Sequence, residues 1–268
     1  MKYTSIILCH YARADDFGET MAQRCGRTRF EMLRETIETL TGNIDAPMEV
    51  IVVDNGGNPD DTEYLLEKTR AGFINTLVRN KENMHFAYAW NQGLRLATGD
   101  YLCFTCNDIG FRKGWLSATL HGLEAHKGKY LASPYITPDK NRPRFNKQVL
   151  SDGCRINSMA GSNCVVMMRE TLRDIGEWPH HRIGGSIWYR VMVSKGYQVI
   201  VPPYDMVEHL AFRGGVNYKK SITVEKTLLT GEKIDFCYLC PPKKVFKGTQ
   251  LSAGVPLYRV SNKGNESS

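Results

Sequence analysis

The sequence has no run of the eighteen or so uncharged apolar residues that a membrane-spanning helix requires, so a helical membrane protein is not expected. Its first apolar run, Ser5 to Cys9, stops at His10 and is followed by Arg13, Asp15 and Asp16. That run is too short for a signal-peptide core and no small-residue cleavage site follows, so it reads as a first β-strand of a soluble, cytoplasmic protein. Two phosphate-binding signatures are missing as well. No Gly-x-Gly-x-x-Gly follows the first strand, which removes the phosphate turn of a nicotinamide or flavin site. Gly122 to Lys129 has five residues between its glycines, and Tyr130 stands where a P-loop needs Ser or Thr, so this is not a P-loop.

Cysteine, by contrast, is plentiful: eight residues in a chain with no export signal. Cys9, Cys103 and Cys164 lie in apolar runs, where a free thiol behaves as a small hydrophobe in a reducing compartment. Cys103-x-x-Cys106 and Cys237-x-x-Cys240 together offer four thiolates to zinc. The first pair falls on a strand where Cys103 suits a buried position, and the two pairs are far apart in sequence. Buried thiols beside a coincidental pair are therefore the preferred reading.

What is present is a 268-residue chain, 42% apolar, long enough to bury a sizeable core. Apolar runs alternate with helical periodicity. Ser5–Cys9 is a strand; Phe30, Leu33, Ile37 and Leu40 recur at helical spacing before Gly42; Met48–Val53 is a strand and Asp61–Ala71 a helix. Ile74–Val78, Phe86–Ala97, Tyr101–Thr105 and the helix through Trp115 and Leu123 repeat the pattern. Such alternation predicts an α/β fold with a mainly parallel central sheet covered by flanking helices. Ligands of open sheets of this kind bind beyond the carboxyl ends of the strands, where Asp54 and Asp108 stand.

The second half is less regular. Strands are expected at Tyr130–Ile136, Asn163–Met168 and Tyr197–Val201, and helices at Glu170–Ile175 and Trp188–Ser194. From Phe212 onward ten Lys and Arg face four Asp and Glu, a balance of 10 − 4 = +6 against 35 − 28 = +7 for the whole chain. Residues 1–211 are thus expected to form the folded domain and 212–268 a basic C-terminal extension with a disordered tail. Interleaved Phe236, Tyr238, Phe246 and Tyr258 would let that extension hold an anionic acceptor, whether nucleic acid, phospholipid surface or charged glycan. A solvated face with packing aromatics is an equal alternative.

Several segments, in order, carry a resemblance. Ser5-Ile6-Ile7-Leu8 and Val50-Ile51-Val52-Val53-Asp54-Asn55-Gly56 are followed by Asn83-x-x-Phe86-Ala87-x-x-x-Asn91-x-Gly93 and Ala97-x-Gly99-Asp100-Tyr101-Leu102-x-Phe104. Gly114-Trp115-Leu116, Gly161-Ser162-Asn163-Cys164-Val165-Val166, Ile175-Gly176 and Gly196-Tyr197 continue it over roughly residues 3 to 210. The order is similar to family 2 glycosyltransferases of the GT-A fold. The resemblance implies an enzyme that transfers a sugar from a nucleotide-diphosphate donor, with Mn²⁺ or Mg²⁺ neutralising the leaving diphosphate.

It also implies site residues. The family's Asp-x-Asp falls on Cys106-Asn107-Asp108, so Asp108 keeps the direct metal-ligand role while a thiol replaces the first carboxylate. His209 matches the histidine that completes the metal shell. Tyr11, Asp54, Asn83, Asn91 and Asn107 match positions around the nucleotide, with His85 where the family has glycine. Gly161, Ser162 and Trp178 are expected on the acceptor side. An inverting transfer needs a carboxylate base, yet counting back from Gly196-Tyr197 to the expected acidic pair lands on Gly184-Gly185-Ser186. Three readings stay open. A neighbour such as Glu177, His180 or His181 serves; transfer is retaining; or transfer is lost and the chain is a non-catalytic nucleotide-sugar or glycan-binding module. A nucleic-acid-modifying glycosyltransferase using the basic extension is a further alternative.

Overall fold

The computed structural model describes residues 2–11, 27–126, 128–134, 136–137, 148–157, 164–179, 184–204, 206–210, 248–250 and 256–258. Gly161, Ser162, His180 and His181, the loop 138–147, the expected boundary at 211/212 and most of the basic extension lie outside those residues. The chain divides into two units, Met1–Ser221 and Ile222–Ser268. Within the second, strands Gly248–Gln250 and Pro256–Tyr258 pair antiparallel.

The first unit carries the alternation expected. In chain order it runs β1 (Thr4–His10), α1 (Arg29–Gly42), β2 (Met48–Asn55), α2 (Pro59–Arg70), β3 (Thr76–Asn80), α3 (Phe86–Leu96), β4 (Tyr101–Cys106), β5 (Ile109–Phe111) and α4 (Trp115–Ala125). Then follow β6 (Tyr130–Ala132), β7 (Ile136–Thr137), β8 (Gln148–Val149), β9 (Arg155–Asn157), β10 (Cys164–Met168), α5 (Arg169–Ile175), α6 (Gly184–Ser194), β11 (Gln198–Val201) and β12 (Val207–His209). Local chemistry sets the helix starts. Thr28 and Glu31 form a reciprocal capping box ahead of α1, and Pro59 opens α2, where its missing N–H costs nothing. Among the described residues no helix is long and apolar enough to cross a membrane.

Nine strands form the main sheet in the order β3-β2-β1-β4-β10-β6-β11-β9-β8. β3, β2, β1 and β4 are parallel; β10 is antiparallel to β4 and β6 antiparallel to β10, which returns β6 to the original direction. β11 follows β6 and β9 opposes it. Only β10 and β9 therefore run against the rest. The expected run Tyr130–Ile136 is broken into β6 and β7, which belong to different sheets. Ser133 ends the pairing by donating its N–H to the Ile200 carbonyl, and Pro134 has no N–H to continue it.

Alternate residues of the central strands enter two cores. Ile7, Ile51, Val53, Leu102 and Phe104 pack on one face with Trp90, Trp178 and Trp188. Ile6, Leu8, Val50, Val52 and Cys103 pack on the other with Leu33, Ile37, Trp115 and Leu116. Burial on both faces explains why these strands read as continuous apolar runs. The chain winds outward from β1 through β2 to β3, then crosses to place β4 on β1's other side. The carboxyl ends of β1 and β4 thus flank the topological switch, where crevices open in sheets of this class.

Candidate active site

Register brings the sequence-predicted residues to that switch. His10 pairs with Asp54 at the ends of β1 and β2, and Cys9 pairs with Cys106 at the ends of β1 and β4. Beyond Cys106 the chain turns at Asn107-Asp108 into β5, which forms a second sheet in the order β5-β12-β7. His209 pairs with Ile109 there, and the Leu210 N–H donates to the Asp108 carbonyl at 2.8 Å. Two residues a hundred positions apart in sequence are so brought together: His209 Nε2 lies 3.5 Å from Asp108 Oδ2. Threonines of α1 fix β5 from its other side, Thr36 Oγ accepting from the Ile109 N–H at 3.1 Å and Thr39 Oγ from the Phe111 N–H at 3.0 Å.

The donor set suits a hard or borderline divalent cation. Asp108 Oδ1 is buried with no hydrogen-bond partner among the described residues, a costly state for a carboxylate oxygen that an ion would relieve. Carboxylate and imidazole are acceptable to Mn²⁺, and carboxylate with water to Mg²⁺. Cys106 does not replace the lost carboxylate. Burial first, then the nearby Asp108 charge, pushes its thiol well above the ordinary cysteine range, so it stays protonated and neutral.

The middle residue of the turn is held by a buried relay that sequence reasoning missed. Asn107 Nδ2 donates to His10 Nδ1 at 2.8 Å, which leaves the proton on His10 Nε2, 3.1 Å from Asp61 Oδ2 in the first turn of α2. His10 is 0% and Asp61 2% exposed. The available signal was a histidine ending a strand otherwise apolar after Ser5. Tyr11 is half-buried beside the relay, its carbonyl 3.5 Å from Asn107 Nδ2.

Asp54, expected at the nucleotide, makes hydrogen bonds within the protein through both of its oxygens. The Gly57 N–H donates to its Oδ1 at 2.8 Å and Thr62 Oγ to its Oδ2 at 2.7 Å, closing the turn between β2 and α2. It is 2% exposed. A Cβ on Gly57 would stand 2.6 Å from Asp54 Oδ1 and 2.9 Å from His10 Nε2, so only glycine fits between them.

Beside it runs a ladder of amides. Gln92 and Asn80 exchange hydrogen bonds at 2.7 and 2.9 Å, Asn80 Nδ2 donates to Asn55 Oδ1 at 2.9 Å, and Asn55 Nδ2 donates to Asn83 Oδ1 at 3.0 Å. Asn83 Oδ1 also accepts from the His85 N–H at 2.8 Å, so Asn83 shapes the loop that opens α3. His85, exposed in that loop, has φ +66° and ψ 151°, a conformation that normally belongs to glycine. The backbone there has the shape that favours the glycine the family carries at this position, and His85 adopts it at a cost.

Asn91 and Trp178 also differ from expectation. Asn91 Nδ2 donates to the Trp178 carbonyl at 2.8 Å and its Oδ1 accepts from the Trp178 N–H at 3.1 Å. The amide therefore clamps a backbone segment within the core and is 1% exposed. Trp178 is a core residue, not a platform for a sugar: its ring stacks on Trp188 at 4.2 Å and packs against Trp90 at 4.7 Å. Glu177, next to that clamp, is half-exposed and 3.6 Å from Arg95.

The model of the family described as Glycosyl transferase family 2 matches residues 27–197, well over half of the chain. The chain belongs to glycosyl transferase family 2. Curated relatives of this kind include an uncharacterized glycosyltransferase, YfnE, of Bacillus subtilis, 46% identical over 65 residues, which are 24% of this chain and 16% of the relative. Another is the glucosyl-dolichyl phosphate glucuronosyltransferase of Haloferax volcanii, 24% identical over 121 residues, 44% of this chain and 38% of the relative. The matched region thus spans less than two fifths of either curated relative.

Solved structures resemble the first unit's architecture. The mannosyltransferase PcManGT from Pyrobaculum calidifontis, in complex with GDP-Man and Mn²⁺, superposes with a TM-score of 0.61 at 18% identity over 87% of this chain and 66% of that one. S. aureus TarS 1–349 gives 0.56 at 16% identity over 85% and 66%. At such identities the likeness establishes the fold, the GT-A fold expected from the sequence.

Proposed function

We propose that this chain is a metal-dependent glycosyltransferase that moves a sugar from a nucleotide-diphosphate donor to an acceptor. One observation carries the reading: a carboxylate with an unpartnered buried oxygen, Asp108, faces His209 at the β1/β4 switch of a family 2 glycosyltransferase domain. Mn²⁺ or Mg²⁺ held there by Asp108 and His209 would neutralise the charge that grows on the departing diphosphate. Neighbours in complex with GDP-Man and Mn²⁺ and with UDP, GalNAc and Mn²⁺ support that donor class and that kind of ion.

The chain's own residues divide the remaining work. Asn107, fixed by His10 and Asp61, and Tyr11, whose carbonyl is next to Asn107, stand beside Asp108 and are assigned to the nucleotide on the family resemblance. Asp54, Asn83 and Asn91 shape its walls from behind. Glu177 is the candidate base among the described residues, on a segment whose backbone is locked by Asn91, and His181 is the candidate beyond them. Gly161 and Ser162 are assigned to the acceptor side on the family resemblance, and the basic residues after 212 to an anionic acceptor on their charge.

A thermal-shift panel of UDP, GDP, dTDP and CMP, each with EDTA, Mg²⁺ or Mn²⁺, tests the reading on the wild type and Asp108→Ala. A ligand at about a hundred times its Kd adds roughly 2.7 kcal/mol, several degrees of Tm for a chain of this size. One nucleotide should stabilise the wild type only with metal and leave Asp108→Ala unmoved. Metal-dependent binding with no turnover or donor hydrolysis would favour the non-catalytic module; no shift with any nucleotide would overturn the donor site.

A further inference from the structure

Four strands away from β4, at the other end of the sheet, three chemically different ligand groups meet. His126 follows the last turn of α4, and Asp152 and Cys154 lie in the turn between β8 and β9. Their ligand atoms all lie within 4.8 Å of one another, the one such group of three among the described residues. Four strand spacings are roughly 19 Å, so the cluster is separate from the crevice at Asp108. Nothing in the proposed transfer reaction uses it.

The turn is built to hold this arrangement. Leu150 and Cys154 close it through a 2.7 Å backbone bond, the Gly153 N–H donates to the Leu150 carbonyl at 3.0 Å, and Gly153 takes φ +83°. Asp152 Oδ1 accepts from the Cys154 N–H at 3.0 Å, while His126 Nε2 lies 2.9 Å from Asp152 Oδ2. Cys154 Sγ reaches the wall of α4 at Gly122, where a Cβ would stand 3.4 Å away. Cys154 is 2% exposed, yet the imidazole and carboxylate side chains above it are 19% and 26% exposed, which gives an ion a way in.

We propose that His126, Asp152 and Cys154 are a second metal site, for Zn²⁺, that clips the end of α4 to the β8–β9 turn. Nitrogen, sulfur and carboxylate oxygen are the three donor types zinc combines, and a water completes a tetrahedron. Thiolate excludes the hard ions suited to Asp108 and makes the two sites chemically distinct. Tetrahedral bonds of ~2.0–2.3 Å place ligand atoms ~3.3–3.7 Å apart, within small side-chain movements of the arrangement present. Loading breaks the Cys154 S–H bond and releases that proton to solvent, while the imidazole, whose Nε2–H donates to Asp152 without the ion, moves its proton to Nδ1 and binds through the freed Nε2. The proposal stands independently of the sugar-transfer reading.

The test is a Co²⁺ titration of metal-stripped full-length protein in excess Mg²⁺, following the thiolate-to-cobalt charge-transfer absorption. The band should saturate at one equivalent, vanish on adding Zn²⁺, and weaken about tenfold in apparent affinity per pH unit lost, as one proton is released. It should disappear in Cys154→Ser and lose at least about tenfold in affinity in His126→Gln, whose amide still offers a donor to Asp152 and so spares the turn. It should persist in Asp108→Asn, in Cys106→Ser, and when Cys237 and Cys240 are both replaced by serine. No band in the wild type, a band that survives Cys154→Ser or keeps full affinity in His126→Gln, or one lost with Cys106 or the Cys237/Cys240 pair would each overturn the site.

Discussion

Asp54 and Asp108 end neighbouring regions of the same parallel sheet, and their surroundings are opposite. Both oxygens of Asp54 are taken, by the Gly57 N–H and Thr62 Oγ, and the residue is enclosed. Asp108 leaves Oδ1 buried without a hydrogen-bond partner among the described residues, turns Oδ2 toward His209, and keeps 20% of its side chain exposed. A satisfied carboxylate stabilises the fold; an unsatisfied one costs stability and persists where a ligand makes up the deficit. Two aspartates that look alike at strand ends in the sequence thus differ in the structure: one closes a turn with both oxygens, and the other keeps a buried oxygen without a hydrogen-bond partner among the described residues.

Replacing each in turn tests that contrast. Asp108→Ala should cut sugar transfer by about a hundredfold or more, the scale seen when one electrostatic stabiliser of a leaving group is removed. Its Tm without nucleotide should stay level or rise, because an unpaired buried oxygen goes with it. Asp54→Ala should do the reverse and destabilise the fold by about 2–3 kcal/mol, since the Gly57 N–H and the Thr62 hydroxyl both lose a buried acceptor. Chemical denaturation and initial rates on the same preparations separate the two effects. A donor KM raised tenfold in Asp54→Ala at unchanged stability would break the contrast.

The same contrast marks what the sequence made legible. Strands β1, β2, β4 and β10 were readable because their residues are buried on both faces and form apolar runs, whereas Asp108 and His209 were singled out as a pair by the family resemblance. Short strands β5 and β12, which bring His209 to Asp108, carry three residues each and no periodicity to read. Burial was equally invisible. Asn91 and Trp178 look like ligand-facing polar and aromatic residues until their mutual backbone clamp is seen, and the His10–Asp61 relay joins residues fifty-one positions apart.

A smaller effect sharpens the Asp108 side. Asp61 touches His10, and His10 touches Asn107, so Asp61 acts on the crevice only through others. Asp61→Asn keeps an oxygen to accept from His10 Nε2 and should retain most of the turnover. Asp61→Ala removes it and should lower kcat about tenfold with donor KM nearly unchanged, the signature of lost transition-state positioning. Equal losses in kcat and in folding stability for both variants would reduce the relay to packing.

The smallest expected change is at His85. Its φ of +66° with ψ 151° lies where L-residues are strained by about 1–3 kcal/mol, and glycine is not. Glycine also gives back about 0.4–1 kcal/mol through the freer unfolded chain, so His85→Gly should gain about 1 kcal/mol net, near 2–4 °C in Tm. The loop it sits in is held by Asn83 and abuts Gly56, whose Cβ would stand 2.8 Å from the Asn83 nitrogen, so the backbone path is set by neighbours and should survive the change. Donor affinity measured in the same variant then gives the meaning of the strain. Unchanged affinity makes the imidazole a tolerated departure from glycine; a fall of tenfold or more makes it a nucleotide contact for which the fold gives up stability.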